Sequence, residues 1–160
     1  MNLKRQQPKR MPGGKGTKTS IQRRDLYRLA NEQLKSAYAG GFHIECVSIC
    51  ESIIADRLES RLQFLRRETE QPTRISEIGQ LLNQLGHIEL PESSDLLATY
   101  EKIRAWSFAR NEVIHQFVKI TEKNQRLTPK GRQRRAAKAA RDGKSLMRQI
   151  ASLVRKHNKY

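Results

Sequence analysis

The sequence predicts an all-α protein: a bundle of four to five helices behind a disordered basic N-terminal tail. Three observations predict it. Apolar residues recur at three- and four-residue spacing in five segments. All five prolines lie outside the interiors of those segments, where a proline would remove a backbone donor and clash with the preceding turn. No alternating apolar–polar run and no hairpin turn signal accompanies them.

Taken in order, residues 1–19 hold Pro8, Pro12, Gly13, Gly14 and Gly16 among cations, with no apolar period. Such a stretch has too little apolar surface to offset the entropy of ordering, and it reads as disordered. Its Gly-Gly-Lys-Gly-Thr-Lys-Thr run is not a phosphate-binding loop. Thr17 stands where the last glycine of that motif belongs, and no strand precedes it. The first helix spans about Ser20 to Tyr38, on Leu26, Leu29, Ala30, Leu34 and Ala37, and Gly40-Gly41 ends it. The second runs from about Phe42 to Glu68. Its stripe is Cys46, Val47, Cys50, Ile53, Ile54, Leu58, Leu62 and Leu65, set between acids and arginines. Cys46 and Cys50, four apart on that stripe, are small buried hydrophobes rather than a redox or metal pair. Pro72 breaks the chain. A short helix follows over roughly 74–85, carrying Ile75, Ile78, Leu81, Leu82 and Leu85, and Gly86 stops it.

After Pro91, the capping cluster Ser93-Ser94-Asp95 starts a helix that reaches about Ile120. Its apolar members are Leu96, Leu97, Tyr100, Ile103, Trp106, Val113, Ile114, Phe117 and Val118. Thr128-Pro129 opens the last helix, with Thr128 as cap and Pro129 in the first turn. The chain therefore divides into a basic tail over 1–20, a helical bundle over 21–125, and a basic C-terminal helix over 126–160 that packs on the bundle.

Charge divides in the same way. The 160 residues carry 32 Lys+Arg and 16 Asp+Glu, for a net of +16. Residues 1–24 hold eight basic and no acidic residues, and residues 119–160 hold 14 basic and two acidic ones. Between them, residues 25–118 hold ten basic and 14 acidic residues, a net of −4. Two cationic ends on a mildly acidic domain point to a polyanion, with nucleic acid leading. The cations best placed to meet phosphates are Lys130, Arg132, Arg134, Arg135, Lys138 and Arg141 on the last helix. No aromatics interleave with them, so salt-sensitive binding without base stacking is expected there. No apolar run nears 18 residues, so no membrane span is expected. Two cysteines without metal or disulfide spacing make a cytoplasmic location the default.

One stretch carries chemistry: Ala109-Arg110-Asn111-Glu112-Val113-Ile114-His115. Asn111 and His115, four apart, share a helix face, and the long arm of Arg110 can swing to the same side. Histidine moves protons near neutral pH. Arginine neutralises charge that builds on a phosphate. Asparagine orients either group by hydrogen bonds. These are the parts a phosphodiester cleavage needs.

Arg110-Asn111-x-x-x-His115, late in an all-α chain of this size, resembles the HEPN family, the higher eukaryote and prokaryote nucleotide-binding helical domains. Nuclease members carry an Arg followed by His after a gap of four to six residues, often with Asn, Asp or His next to the Arg. The resemblance covers roughly residues 21–125. It implies an endoribonuclease, metal-independent and free of cofactors, in which the RNA 2′-hydroxyl attacks its own phosphate. The products would be a 2′,3′-cyclic phosphate and a 5′-hydroxyl. It implies that His115 serves in proton transfer, that Arg110 stabilises the transition state and that Asn111 orients. It further implies a C2 homodimer whose two motifs form one composite site, and a toxin or abortive-infection (defence) role with an antitoxin protein as a possible partner. Glu51, midway along the second helix, is an auxiliary candidate; the commoner role of such a glutamate is a surface ion pair. In the subclass paired with a nucleotidyltransferase antitoxin, the His is followed by x-Tyr. Here Phe117 stands in that place and offers no hydroxyl for modification. Two other readings stay open. One is a non-catalytic nucleic-acid-binding module that uses the tail and the last helix. The other is a structural or partner-binding protein.

Overall fold

In a computed structural model that describes residues 15–66 and 77–159, five helices form a bundle, and the described residues contain no strand. They are α1 Lys18–Ala39, α2 His43–Leu65, α3 Ile78–Ile88, α4 Ser94–His115 and α5 Pro129–His157. Among the described residues no helix is long and apolar enough to cross a membrane. The most extensive contact is between α2 and α5, followed by α4 with α5; α3 closes one side and α1 lies against α2. Helix α2 is therefore the centre of the bundle, touching all four other helices, and the C-terminal helix packs across α2 and α4. In α5, Ala136, Ala139, Ala140, Gly143, Leu146, Met147, Ile150 and Val154 are all buried.

Local chemistry explains most boundaries. Thr17 caps α1 by accepting from the Ser20 amide at 3.2 Å, which places residues 18–20 in the helix rather than in the tail. Residues 1–14 lie outside the described residues, as do Ile75 and the stretch 67–76 around it. Thr128 caps α5 by accepting from the Gly131 amide at 3.0 Å, with Pro129 in the first turn as expected.

Three expectations are corrected. Helix α3 runs through Gly86 to Ile88, because a lone glycine weakens a helix by only about 1 kcal/mol and the Leu81, Leu82 and Leu85 face is fully buried. In α1 the face that packs is Tyr27, Ala30, Leu34 and Ala37, whereas Leu26 and Leu29 look outward. Helix α4 ends at His115 instead of Ile120. The carbonyls of Gln116 and Phe117 accept from Arg132 Nη1, each at 3.1 Å. Asn124 then holds the following turn, accepting from the Thr121 amide and donating to the Lys119 carbonyl. Side chains thus satisfy the terminal carbonyls and let the chain leave the helix. Val118 and Ile120 are 88% and 79% exposed and lie outside the core.

The α2–α4–α5 junction is tight at Gly143. A β-carbon there would lie 2.9 Å from Trp106 Cζ2 and 3.2 Å from Cys50 Cβ. The Trp106 indole cannot retreat cheaply, because its Nε1 donates to the Ala139 carbonyl at 2.9 Å. Glycine in mid-helix is retained for this close approach. Gly143→Ala is expected to lower stability by about 1–2 kcal/mol, overpacking outweighing the better helix propensity of alanine. Urea unfolding checks the sign; a stabilised variant would contradict this packing.

A polar cluster locks the other end of α5. Arg61, 1% exposed, meets Glu89, 0% exposed, through two bonds: Nη2 to Oε1 at 2.6 Å and Nε to Oε2 at 3.1 Å. Arg61 Nη1 also donates to the His157 carbonyl and to Asn158 Oδ1, both at 3.0 Å, and the Tyr100 hydroxyl donates to Glu89 at 2.7 Å. Nearby, Asp95 accepts from Lys156 and pairs with His157 Nε2, both at 2.8 Å. The Lys156 hydrogen bond, with the Leu96 amide and His157, holds the Asp95 carboxyl down to about 2.

Candidate functional site

The motif occupies the last two turns of α4. Asn111 and His115 are both exposed and share one face. Arg110 differs, with a side chain only 13% exposed. Its Nη2 lies 2.5 Å from Glu51 Oε1 on α2, and its Nη1 donates to Asn111 Oδ1 at 2.5 Å. Glu51 therefore sits at the motif, in an ion pair with its arginine. It is a salt-bridge glutamate, and the bridge is to Arg110. The pair and the Asn111 bond fix the guanidinium on two sides. Arg110 Nε is buried with no hydrogen-bond partner among the described residues, which costs about 1–3 kcal/mol against what the Glu51 and Asn111 contacts contribute.

The six cations of α5 separate into groups. At 100° per residue, Lys130, Arg134, Lys138 and Arg141 fall within a sector of about 80°, on the outer side of the helix. All four are exposed. Lys138 meets Asp142 at 2.6 Å and Arg141 meets it at 3.9 Å, surface pairs that a polyanion can displace. Arg135 pairs with Glu112 at 3.2 Å. Arg132 is the correction: its guanidinium binds the Gln116 and Phe117 carbonyls and Asn124 Oδ1, so it caps α4 instead of facing solvent. Its position explains this, because it lies on the same side of α5 as Ala139, Gly143 and Ile150. Lys130 and Arg134 form no ion pair with the described acids and line a cleft of about 740 Å³.

That cleft is what the sequence reading missed. It lies between the start of α2 and the first half of α5, with Phe42, His43, Glu45 and Phe117 among its walls. A signal was present in the sequence. Gly40-Gly41-Phe42 puts a large aromatic at a turn, just before a helix, where it has no stripe to join. Cys46 and Cys50 are free and buried, as expected. Burial pushes the Cys50 thiol up to about 12, far from thiolate reactivity. Among the described residues no group of three His, Cys, Asp or Glu is placed to share a metal ion. Comparison of the chain with protein families, with curated proteins and with solved structures gives no match.

Proposed function

We propose that the chain is a metal-independent endoribonuclease of HEPN type, with Arg110, Asn111 and His115 as its catalytic residues. The observation that carries the reading is the Glu51–Arg110–Asn111 arrangement beside an exposed His115. A merely solvated arginine on a helix end would not be held from two sides. In this reading Glu51 and Asn111 set the plane of the guanidinium, Arg110 stabilises the charge that builds on the phosphate, and His115 carries a proton. The 2′-oxygen bonds to phosphorus and the bond to the 5′-oxygen breaks. The proton lost by the 2′-hydroxyl and the proton gained by the 5′-oxygen need two transfer groups. One motif offers one histidine, so a second chain completes the site across a two-fold axis. The exposed cations of α5 hold the RNA backbone. A role as a cytoplasmic toxin or defence effector, restrained by an antitoxin protein, follows from the same reading.

The test is a cleavage assay on single-stranded RNA in EDTA. Wild type is expected to cut, and His115→Ala is not. Equal background cleavage by both proteins would overturn the proposal. The outer cationic face of α5 favours a second reading, a binding module without turnover. It expects RNA affinity to survive Arg110→Ala and His115→Ala, with no cleavage by wild type.

A further inference from the structure

We infer that the cleft between the α2 start and the first half of α5 binds one nucleotide of single-stranded RNA, with Lys130 and Arg134 at its phosphate and Phe42 against its base. The inference deepens the ribonuclease reading and rests on it for the identity of the ligand. Four observations carry it. The first is size: about 740 Å³ is ample for one nucleotide. The second is charge. Lys130 and Arg134 lie four apart on one face, are exposed, and pair with none of the described acids. Arg132 and Arg135, by contrast, are taken by protein partners.

The third is an aromatic surface. Gly41, at φ 76°, turns the chain into α2, and one edge of the Phe42 ring rests on Gly40. A β-carbon on Gly40 would come within 2.7 Å of Phe42 Cε2, so a larger residue there would push the ring from this position. The ring remains 63% exposed inside a cationic cleft. A large apolar ring in that setting suits base stacking, which requires a base free of a duplex. The fourth is position. Phe117 forms part of the wall and follows His115 by two residues, which a chain spans in at most about 7 Å. The backbone of the candidate histidine thus lies within about 7 Å of a residue of the cleft wall, though His115 itself does not line it.

Glu45 also lines the cleft and opposes an anion there. This gives the inference a consequence of opposite sign. The experiment measures anisotropy of a labelled 2′-O-methyl RNA 12-mer, which cannot undergo 2′-hydroxyl attack, so binding is read apart from cleavage. For Lys130→Glu with Arg134→Glu we expect at least tenfold weaker binding. The slope of log K against log salt should shrink by about 0.7, the loss of one neutralised phosphate on a single strand. Phe42→Ala should weaken binding about five-fold or more, and Glu45→Gln should tighten it. Lys138→Glu with Arg141→Glu makes the same charge change further along α5 and should have a smaller effect. Equal losses in the two double variants, or a duplex bound as tightly with no dependence on Phe42, would overturn the cleft. Cleavage dependent on His115 would stand in that event. Binding through the cleft without cleavage would instead remove the nuclease reading alone.

Discussion

Arg61→Ala is expected to destabilise the bundle by about 3–5 kcal/mol, and Glu89→Ala by a similar amount. Neither side chain reaches water, so removing one leaves a charge buried without its partner. The loss spreads, because Arg61 also holds the His157 carbonyl and Asn158 at the end of α5, and Glu89 accepts from Tyr100 on α4. For a domain of this size that corresponds to a drop in Tm of roughly 6–20 °C. The pH dependence follows from the same contacts. Burial opposes ionisation of Glu89, but the hydrogen bonds from Arg61 and Tyr100 outweigh it and hold the carboxyl below the usual carboxylate range. The folded-state value is thus lower than the unfolded one. The stabilisation is complete above the ordinary value of 4.5 and fades as pH falls through the folded value. Thermal melts of wild type between pH 7 and pH 3 should show this decline. Arg61→Ala should lack that contribution at every pH, and melts within 2 °C of wild type at pH 7 would contradict the account.

His115→Ala should lower RNA cleavage by about 10²–10⁴-fold, the usual scale for losing a positioned proton-transfer group. The side chain is exposed, so the melting temperature should stay near that of wild type. Arg110→Ala should reduce the rate by about 10²–10³-fold, the scale for removing one transition-state donor. It also leaves Glu51 without its partner. Glu51→Gln separates positioning from chemistry, since it keeps a hydrogen-bond acceptor for Arg110 and removes the charge. Its rate should fall far less than that of Arg110→Ala. A Glu51→Gln variant as inactive as Arg110→Ala would contradict a positioning role. Single-turnover rates in EDTA, with melts of each variant, check all three.

The sequence displays some of these features and hides others, for physical reasons. The start of α5 is legible because Thr128-Pro129 acts through neighbours in the chain. The pairing of Cys46 and Cys50 with the core is legible because Val47, Ile53, Ile54, Leu58 and Leu62 continue their stripe along α2. The end of α4 is not. Val118 and Ile120 continue an apolar pattern, and the chain leaves the helix where Arg132, far along the chain, binds the Gln116 and Phe117 carbonyls just past it. Yet Arg132 could have been flagged. At 100° per residue it falls in the middle of the buried face of α5, where a cation must find acceptors. Arg61 is the same case on α2, at the centre of the stripe from Cys46 to Leu62, and a charge there signals a buried partner. Its partner, Glu89, could not be named, because the pairing depends on how α3 returns to α2. At the site, Asn111 and His115 were placed by helix geometry alone. The contact of Glu51 with Arg110 depends on the packing of α2 against α4, and the Phe42 cleft depends on where α5 crosses α2.

In the proposed function this motif cuts RNA through the 2′-hydroxyl. The most direct measurement compares one RNA with the same sequence in 2′-deoxy form, both incubated with wild type in EDTA, and identifies the product ends. The account expects cleavage of the RNA alone, with 2′,3′-cyclic phosphate and 5′-hydroxyl ends, and none with His115→Ala. Cutting of the deoxy strand, 3′-hydroxyl ends, or activity that survives His115→Ala would contradict it.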